Sequence, residues 1–242
     1  MARFLKKDYY VNHMPKKINR FKKIVIIFLM VLLIVIPTSY FYIKNYYKRN
    51  AFLANLDGEI VFSRRDSGIL NLYKISANGK NKRMLYHNKD PINSNSMNPI
   101  WSEDGSKIYF GAMKDGKWEI FSIDSDGKNP IIVQDKEWES FYKKWRLNEY
   151  PYYIENKNST LDVKEGSLYY LNEEGKEILI YYFKNYNYKF NPGVSSPSWS
   201  PNKEFIIFQL CKFFGPCNIL ISNKDGTKVV KLTKGREPDW KE

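Results

Sequence analysis

The sequence predicts an all-β fold, a small β-propeller of about four blades of four antiparallel strands, preceded by one N-terminal transmembrane helix. Three observations carry this. Turn dipeptides recur at Asn78-Gly79, Asp126-Gly127, Glu174-Gly175 and Asp225-Gly226, with the glycines 48, 48 and 51 residues apart. In phase with them run Trp101, Trp145, Trp199 and Trp240, spaced by 44, 54 and 41 residues; Trp101, Trp199 and Trp240 sit in Pro-x-Trp. A period of that length, holding several short strands, is the mark of a propeller blade. Upstream, Ile24 to Ile43 is a run of 20 uncharged residues.

Residues 1–23 form a basic tail with eight Lys or Arg. Residues 24–43 read as the transmembrane helix, long enough for a hydrocarbon core of ~30 Å, with Pro37 late in the span where the helix kinks or ends. Tyr40 and Tyr42 fall at the far interface and Tyr46 and Tyr47 just beyond it, as amphipathic aromatics do. Only Lys44, Lys48 and Arg49 follow closely, so the positive-inside asymmetry predicts a cytoplasmic N-terminus and an extracytoplasmic C-terminal domain. The competing reading is a cleaved signal peptide. The apolar run exceeds a usual h-region and no small-x-small site lies near Pro37 to Tyr40, so an uncleaved signal-anchor in the cell membrane is favoured. The basic tail also suits attraction to anionic lipid, although setting topology accounts for it. Residues 44–56 are predicted as a juxtamembrane linker and 57–242 as the propeller.

Charge follows this division. Residues 1–49 hold 11 Lys or Arg and one acid, Asp8, leaving 28 basic against 25 acidic residues in the rest. The pI near 9.4 therefore describes the tail. With no basic stripe evident beyond it, a nucleic-acid partner is not predicted.

Each unit reads strand by strand. Pro99-Ile-Trp101-Ser is a short strand, Glu103-Asp104-Gly105 a turn, Ser106 to Ala112 a second strand, Lys114-Asp115-Gly116 a hairpin turn and Trp118 to Ile123 a third strand. Asn129 to Val133 follows Asp126-Gly127 as the fourth. Hairpins this tight need φ > 0 at their central residues, which Gly adopts freely and Asp or Asn tolerates. The alternation in Lys107-Ile-Tyr-Phe110 supplies buried faces, and the Pro-x-Trp tryptophans are expected to pack between blades.

These residues resemble the WD-type repeat of TolB-like propellers. Pro99 to Phe110 with Lys114 to Gly127 carries the likeness, repeated in Ser196-Pro-Ser-Trp-Ser-Pro201, Phe205-Ile-Ile-Phe208 and Asn223 to Thr233. Glu59-Ile-Val-Phe62, Leu72-Tyr73 and Asn78-Gly79 match a unit without its first strand, while 145–193 is degenerate. The resemblance implies an architecture and no particular activity. Such proteins usually carry six blades, and residues 50–242 have room for four. Pro238 to Lys241 is expected to pair into the first blade and close the ring. The alternative is an open ring that pairs with a second copy, hence an oligomer.

Chemistry is sparsely indicated. Cys211 and Cys217 flank Lys-Phe-Phe-Gly-Pro where the aligned unit has a hairpin, and a cross-strand disulfide is expected in an oxidising compartment. His87 is the only histidine in the predicted domain and reads as a loop residue, which leaves no catalytic triad. No nucleophile elbow, P-loop or zinc-ligand spacing is present. Neither an enzyme nor a cofactor or metal is predicted, and Asp124-Ser-Asp126-Gly127 reads as a turn rather than a calcium loop. Glu59, Asp104, Glu119 and Asp239 are the candidates for paired-carboxylate chemistry, each with a plainer reading as a turn or strand-face residue.

The candidate binding surface is the aromatic segment containing Trp138, Phe141, Tyr142, Arg146, Tyr150 and Tyr152, a composition that suits protein interfaces and also stacks on sugars. The function expected is a membrane-anchored extracytoplasmic propeller, an adaptor for an envelope protein. The alternative is a propeller that binds or hydrolyses cell-wall carbohydrate.

Overall fold

The computed structural model describes residues 20–134, 160–184, 193–212 and 216–241. Among the described residues one helix, α1 (Arg20–Leu53), precedes fifteen strands: β1 (Glu59–Asp66), β2 (Ile69–Ser76), β3 (Arg83–Tyr86), β4 (Ser96–Trp101), β5 (Lys107–Lys114), β6 (Lys117–Asp124), β7 (Ile131–Ile132), β8 (Leu161–Lys164), β9 (Ser167–Leu171), β10 (Glu177–Tyr181), β11 (Gly193–Trp199), β12 (Phe205–Cys211), β13 (Asn218–Asn223), β14 (Val229–Lys234) and β15 (Arg236–Trp240). Met1–Lys48 and Arg49–Glu242 are separate compact units.

The helix does not stop at Pro37. A proline removes one rung of the ladder, and at that place the Thr38 hydroxyl donates to the carbonyls of Ile34 (2.8 Å) and Val35 (3.0 Å). The linker expected at 44–56 is corrected: the helix runs on to Leu53, and Leu53 and Leu56 are buried in the core of the β unit, which therefore begins at Arg49 rather than residue 57.

Four antiparallel sheets follow in blade order: β15-β1-β2-β3, β4-β5-β6-β7, β10-β9-β8 and β11-β12-β13-β14. The third has three strands among the described residues, and the position of its Pro-x-Trp counterpart, with Trp145, lies outside them. Strand β15 pairs into the first blade as the sequence predicts. Ile60 pairs with Trp240 and Val61 with Asp239, which makes the chain's last strand the inner strand of its first blade.

Register repeats from blade to blade. Ile60, Ile108 and Ile206 stand opposite Trp240, Trp101 and Trp199 on the inner strands. Two residues on, Phe62, Phe110 and Phe208 are fully buried, each contributing roughly 2–3 kcal/mol of burial. They fill three cores between neighbouring sheets: blades 4 and 1 around Ile60, Phe62, Ile221 and Trp240; blades 1 and 2 around Val61, Phe110 and Trp101; blades 3 and 4 around Leu168, Phe208 and Trp199. The three described Pro-x-Trp tryptophans, Trp101, Trp199 and Trp240, thus pack between blades.

Two of the periodic glycines, Gly127 and Gly226, dock their blades on the backbone of the blade before. Gly79, Gly127, Gly175 and Gly226 all have positive φ, between 71° and 89°. A Cβ on Gly127 would lie 2.8 Å from the Leu85 carbonyl oxygen on β3, and one on Gly226 2.7 Å from that of Leu179 on β10. Gly175 has nothing described within 4 Å. Gly175→Ala should cost about 1 kcal/mol of backbone strain, and Gly127→Ala or Gly226→Ala roughly 3 kcal/mol because backbone must also move. Denaturant midpoints of the three variants check this ordering; equal losses would refute the docking role.

Candidate functional site

The inner strands β4, β11 and β15 share a backbone device. Asn98, Ser196 and Glu237, each immediately before the proline of Pro-x-Trp, have φ of 56°, 50° and 52°. A side-chain-bearing residue pays of order 1–3 kcal/mol for that region, so it persists only where the surroundings enforce it. Here the enforcement is a bulge, seen as a register shift between Met97 and Ile100, between Ser195 and Ser198, and opposite β15 between Val61 and Ser63. Bulges re-aim side chains, and here they aim them across blade boundaries.

Glu237 accepts from the Ser63 hydroxyl and from the Asn98 backbone N–H, both at 2.8 Å. With its amide nitrogen turned toward the carboxylate, Asn98 also donates to both oxygens at 3.1 Å. The Glu237 N–H in turn donates to Gln209 Oε1 (2.7 Å), and the Gln209 amide nitrogen donates to Ser195. Asp239 accepts from the Trp101 backbone N–H (2.8 Å) and the Ser198 hydroxyl (3.4 Å). These contacts have one logic. β4 is the free edge of its sheet, and the side chains of β15 satisfy its backbone donors at 98 and 101. Gln209 of blade 4 does the same for β15. Unpaired strand edges are costly when buried and hazardous when exposed; here carboxylates and an amide seal them.

Glu237 is half-buried as a residue, yet protein surrounds its carboxylate. Burial pushes the carboxyl above its ordinary value, and the Asn98 N–H, the Ser63 hydroxyl and Arg236 pull it back only in part.

The other carboxylates singled out from sequence are placed apart from this seam. Glu59 pairs with Lys74 at 2.7 Å. Asp104 sits in its turn, where the Ser102 hydroxyl, followed by the Ser106 N–H and hydroxyl, holds its carboxyl down at about 2. Glu119 lies on β6, the third strand of its sheet. Only Asp239 joins the inner strands, and its partner there is Glu237, which sequence reading missed. The available signal was alignment of the Pro-x-Trp units, in which Asn98, Ser196 and Glu237 occupy one slot.

His87 is exposed, its Nδ1 2.7 Å from Asn71 Oδ1. Asp126 closes a turn through the Lys128 N–H (3.0 Å). No group of three His, Cys, Asp or Glu is gathered among the described residues. Cys211 and Cys217 are bridged, with Cα atoms 4.2 Å apart, and the Cys217 carbonyl accepts the Gly235 N–H (3.1 Å) directly before the closing strand. The binding surface expected at Trp138, Phe141, Tyr142, Arg146, Tyr150 and Tyr152 lies outside the described residues.

No family model and no curated protein matches the chain. Among solved structures it is similar to TolB from Acinetobacter baumannii (13% identity over 76% of this chain and 43% of that one, TM-score 0.29). It is also similar to a putative TolB from Agrobacterium tumefaciens (16%, 74% and 64%, TM-score 0.28) and to the tricorn protease (10%, 76% and 24%, TM-score 0.34). The chain spans less than two thirds of each of these proteins. The architecture stands on the strand pairing described above.

Proposed function

We propose that this chain is a single-pass membrane protein with its N-terminus in the cytoplasm, whose propeller acts outside as a protein-interaction module at the cell envelope. The observation that carries the reading is α1, which is long and apolar enough to cross a membrane, with none of its most apolar stretch buried. Large apolar side chains such as Phe28, Leu33, Ile34 and Ile36 are more than 60% exposed there, which water does not favour and lipid does. The Cys211–Cys217 bridge supports an oxidising compartment for the β unit. Glu237 and Asp239 are committed to strand donors, so recognition belongs to the surface of the ring rather than to acid–base chemistry at its inner strands.

A membrane-impermeant crosslinker applied to intact cells should capture a protein with the full chain and not with residues 1–48 alone. Protease added outside should remove the β unit and spare the tail. An accessible propeller that captures no protein would overturn the interaction reading; a protected propeller would overturn the topology.

A further inference from the structure

Two stretches of the β unit are basic with no acid among them: residues 76–86 hold Lys80, Lys82 and Arg83, and residues 227–236 hold Lys228, Lys231, Lys234 and Arg236. The fold brings them together at Arg49. Its guanidinium donates to the carbonyls of Lys231 (2.6 Å) and Leu232 (2.9 Å). A Cβ on Gly79, beside Lys80, would lie 3.7 Å from both Arg49 and Leu232. Lys228 Nζ stands 4.8 Å from the centre of the Phe52 ring. Lys80, Lys212, Lys228, Lys231 and Lys234 are exposed. Partial burial first, then Lys234, Arg49 and Lys212, push the Lys231 ammonium down, so these like charges crowd one another. Crowded cations on a surface are relieved by an anionic partner. Guarding the outer strand β14 against edge pairing would call for scattered lysines, not for their convergence with the 76–86 turn and Arg49.

The tether limits where such a partner lies. Arg49 follows Ile43, the last uncharged residue of the apolar run, by six residues within α1, a helical rise of about 9 Å. We propose that the patch formed by Arg49, Lys80, Lys212, Lys228, Lys231 and Lys234 docks the propeller on the anionic phospholipid headgroups of the membrane that holds its own helix. This rests on the anchored reading above.

The test places the full-length chain in nanodiscs of phosphatidylcholine, alone or mixed with phosphatidylglycerol, and follows acylation of individual lysines by mass spectrometry. Lys80, Lys212, Lys228, Lys231 and Lys234 should react on the order of threefold more slowly over the anionic lipid. About 1 M salt, with a Debye length of ~3 Å, should restore their rates. Lys114 and Lys117, at the hairpin of blade 2, should not change. In the Lys228→Gln/Lys231→Gln/Lys234→Gln variant the lipid dependence of Lys80 and Lys212 should disappear. Equal rates in the two lipids would overturn the proposal. So would slowing produced only by soluble poly(glycerol phosphate) added to phosphatidylcholine discs, which would assign the patch to a wall polymer. Failure of the chain to co-elute with either disc is a different result and would overturn the anchor.

Discussion

A chain ending at Gly235 should lose cooperative unfolding, because the strand it lacks serves three roles at once. β15 supplies the inner edge of blade 1 by pairing with β1. Its Trp240 is 2% exposed in the core between blades 4 and 1, with the indole N–H on the Asp57 carbonyl at 3.2 Å. Its Glu237 and Asp239 carry the donors of β4. Removing a buried tryptophan side chain alone costs about 3–5 kcal/mol, a large part of a net stability of roughly 5–15 kcal/mol. Trp240→Ala should therefore lower the urea midpoint strongly while keeping a single transition. The truncated chain, followed by circular dichroism in mild detergent, should show a broad and early one. An unchanged midpoint after truncation would mean that the pairing of β15 with β1 and the packing of Trp240 contribute nothing.

The parts of this fold legible in sequence are those enforced locally. Ile60, Ile108 and Ile206, with Phe62, Phe110 and Phe208, declare themselves because a strand alternates with period two and each blade repeats the same slot. Asp115-Gly116 declares its hairpin because successive residues with φ > 0 accept few residue types; Ser67-Gly68 and Glu165-Gly166 repeat that backbone in the structure. What sequence did not reveal is decided by tertiary neighbours. Residues 44–56 read as a juxtamembrane linker, whereas the fold continues the helix to Leu53, buries Leu53 and Leu56 and clamps Arg49 on β14. The basic patch was invisible because 28 basic against 25 acidic residues average to near neutrality while the chain folds its acid-free stretches together. The Glu237 slot was missed because Asn98, Ser196 and Glu237 share a backbone conformation and no chemistry.

Glu237 also makes the ring pH-sensitive in a direction opposite to that of most paired carboxylates. Burial raises its folded-state carboxyl above the ordinary value, and its hydrogen-bond donors do not reverse this. The folded chain then binds that proton more tightly than the unfolded chain. The resulting stabilisation is fully present below the unfolded carboxylate value of about 4.3 and is lost as pH rises through the folded-state value. Glu237→Gln keeps an acceptor for the Asn98 N–H and removes the charge, so its stability relative to the natural chain should increase as pH is raised from 4 to 8. Glu237→Ala leaves the Asn98 N–H and the Ser63 hydroxyl without their acceptor and should cost about 1–3 kcal/mol even at low pH. Urea midpoints of the three proteins across that range decide the matter. If the natural chain instead gains on Glu237→Gln as pH rises, the donors favour the ionised carboxylate by more than burial opposes it, and the seam is a charged lock rather than a protonated one.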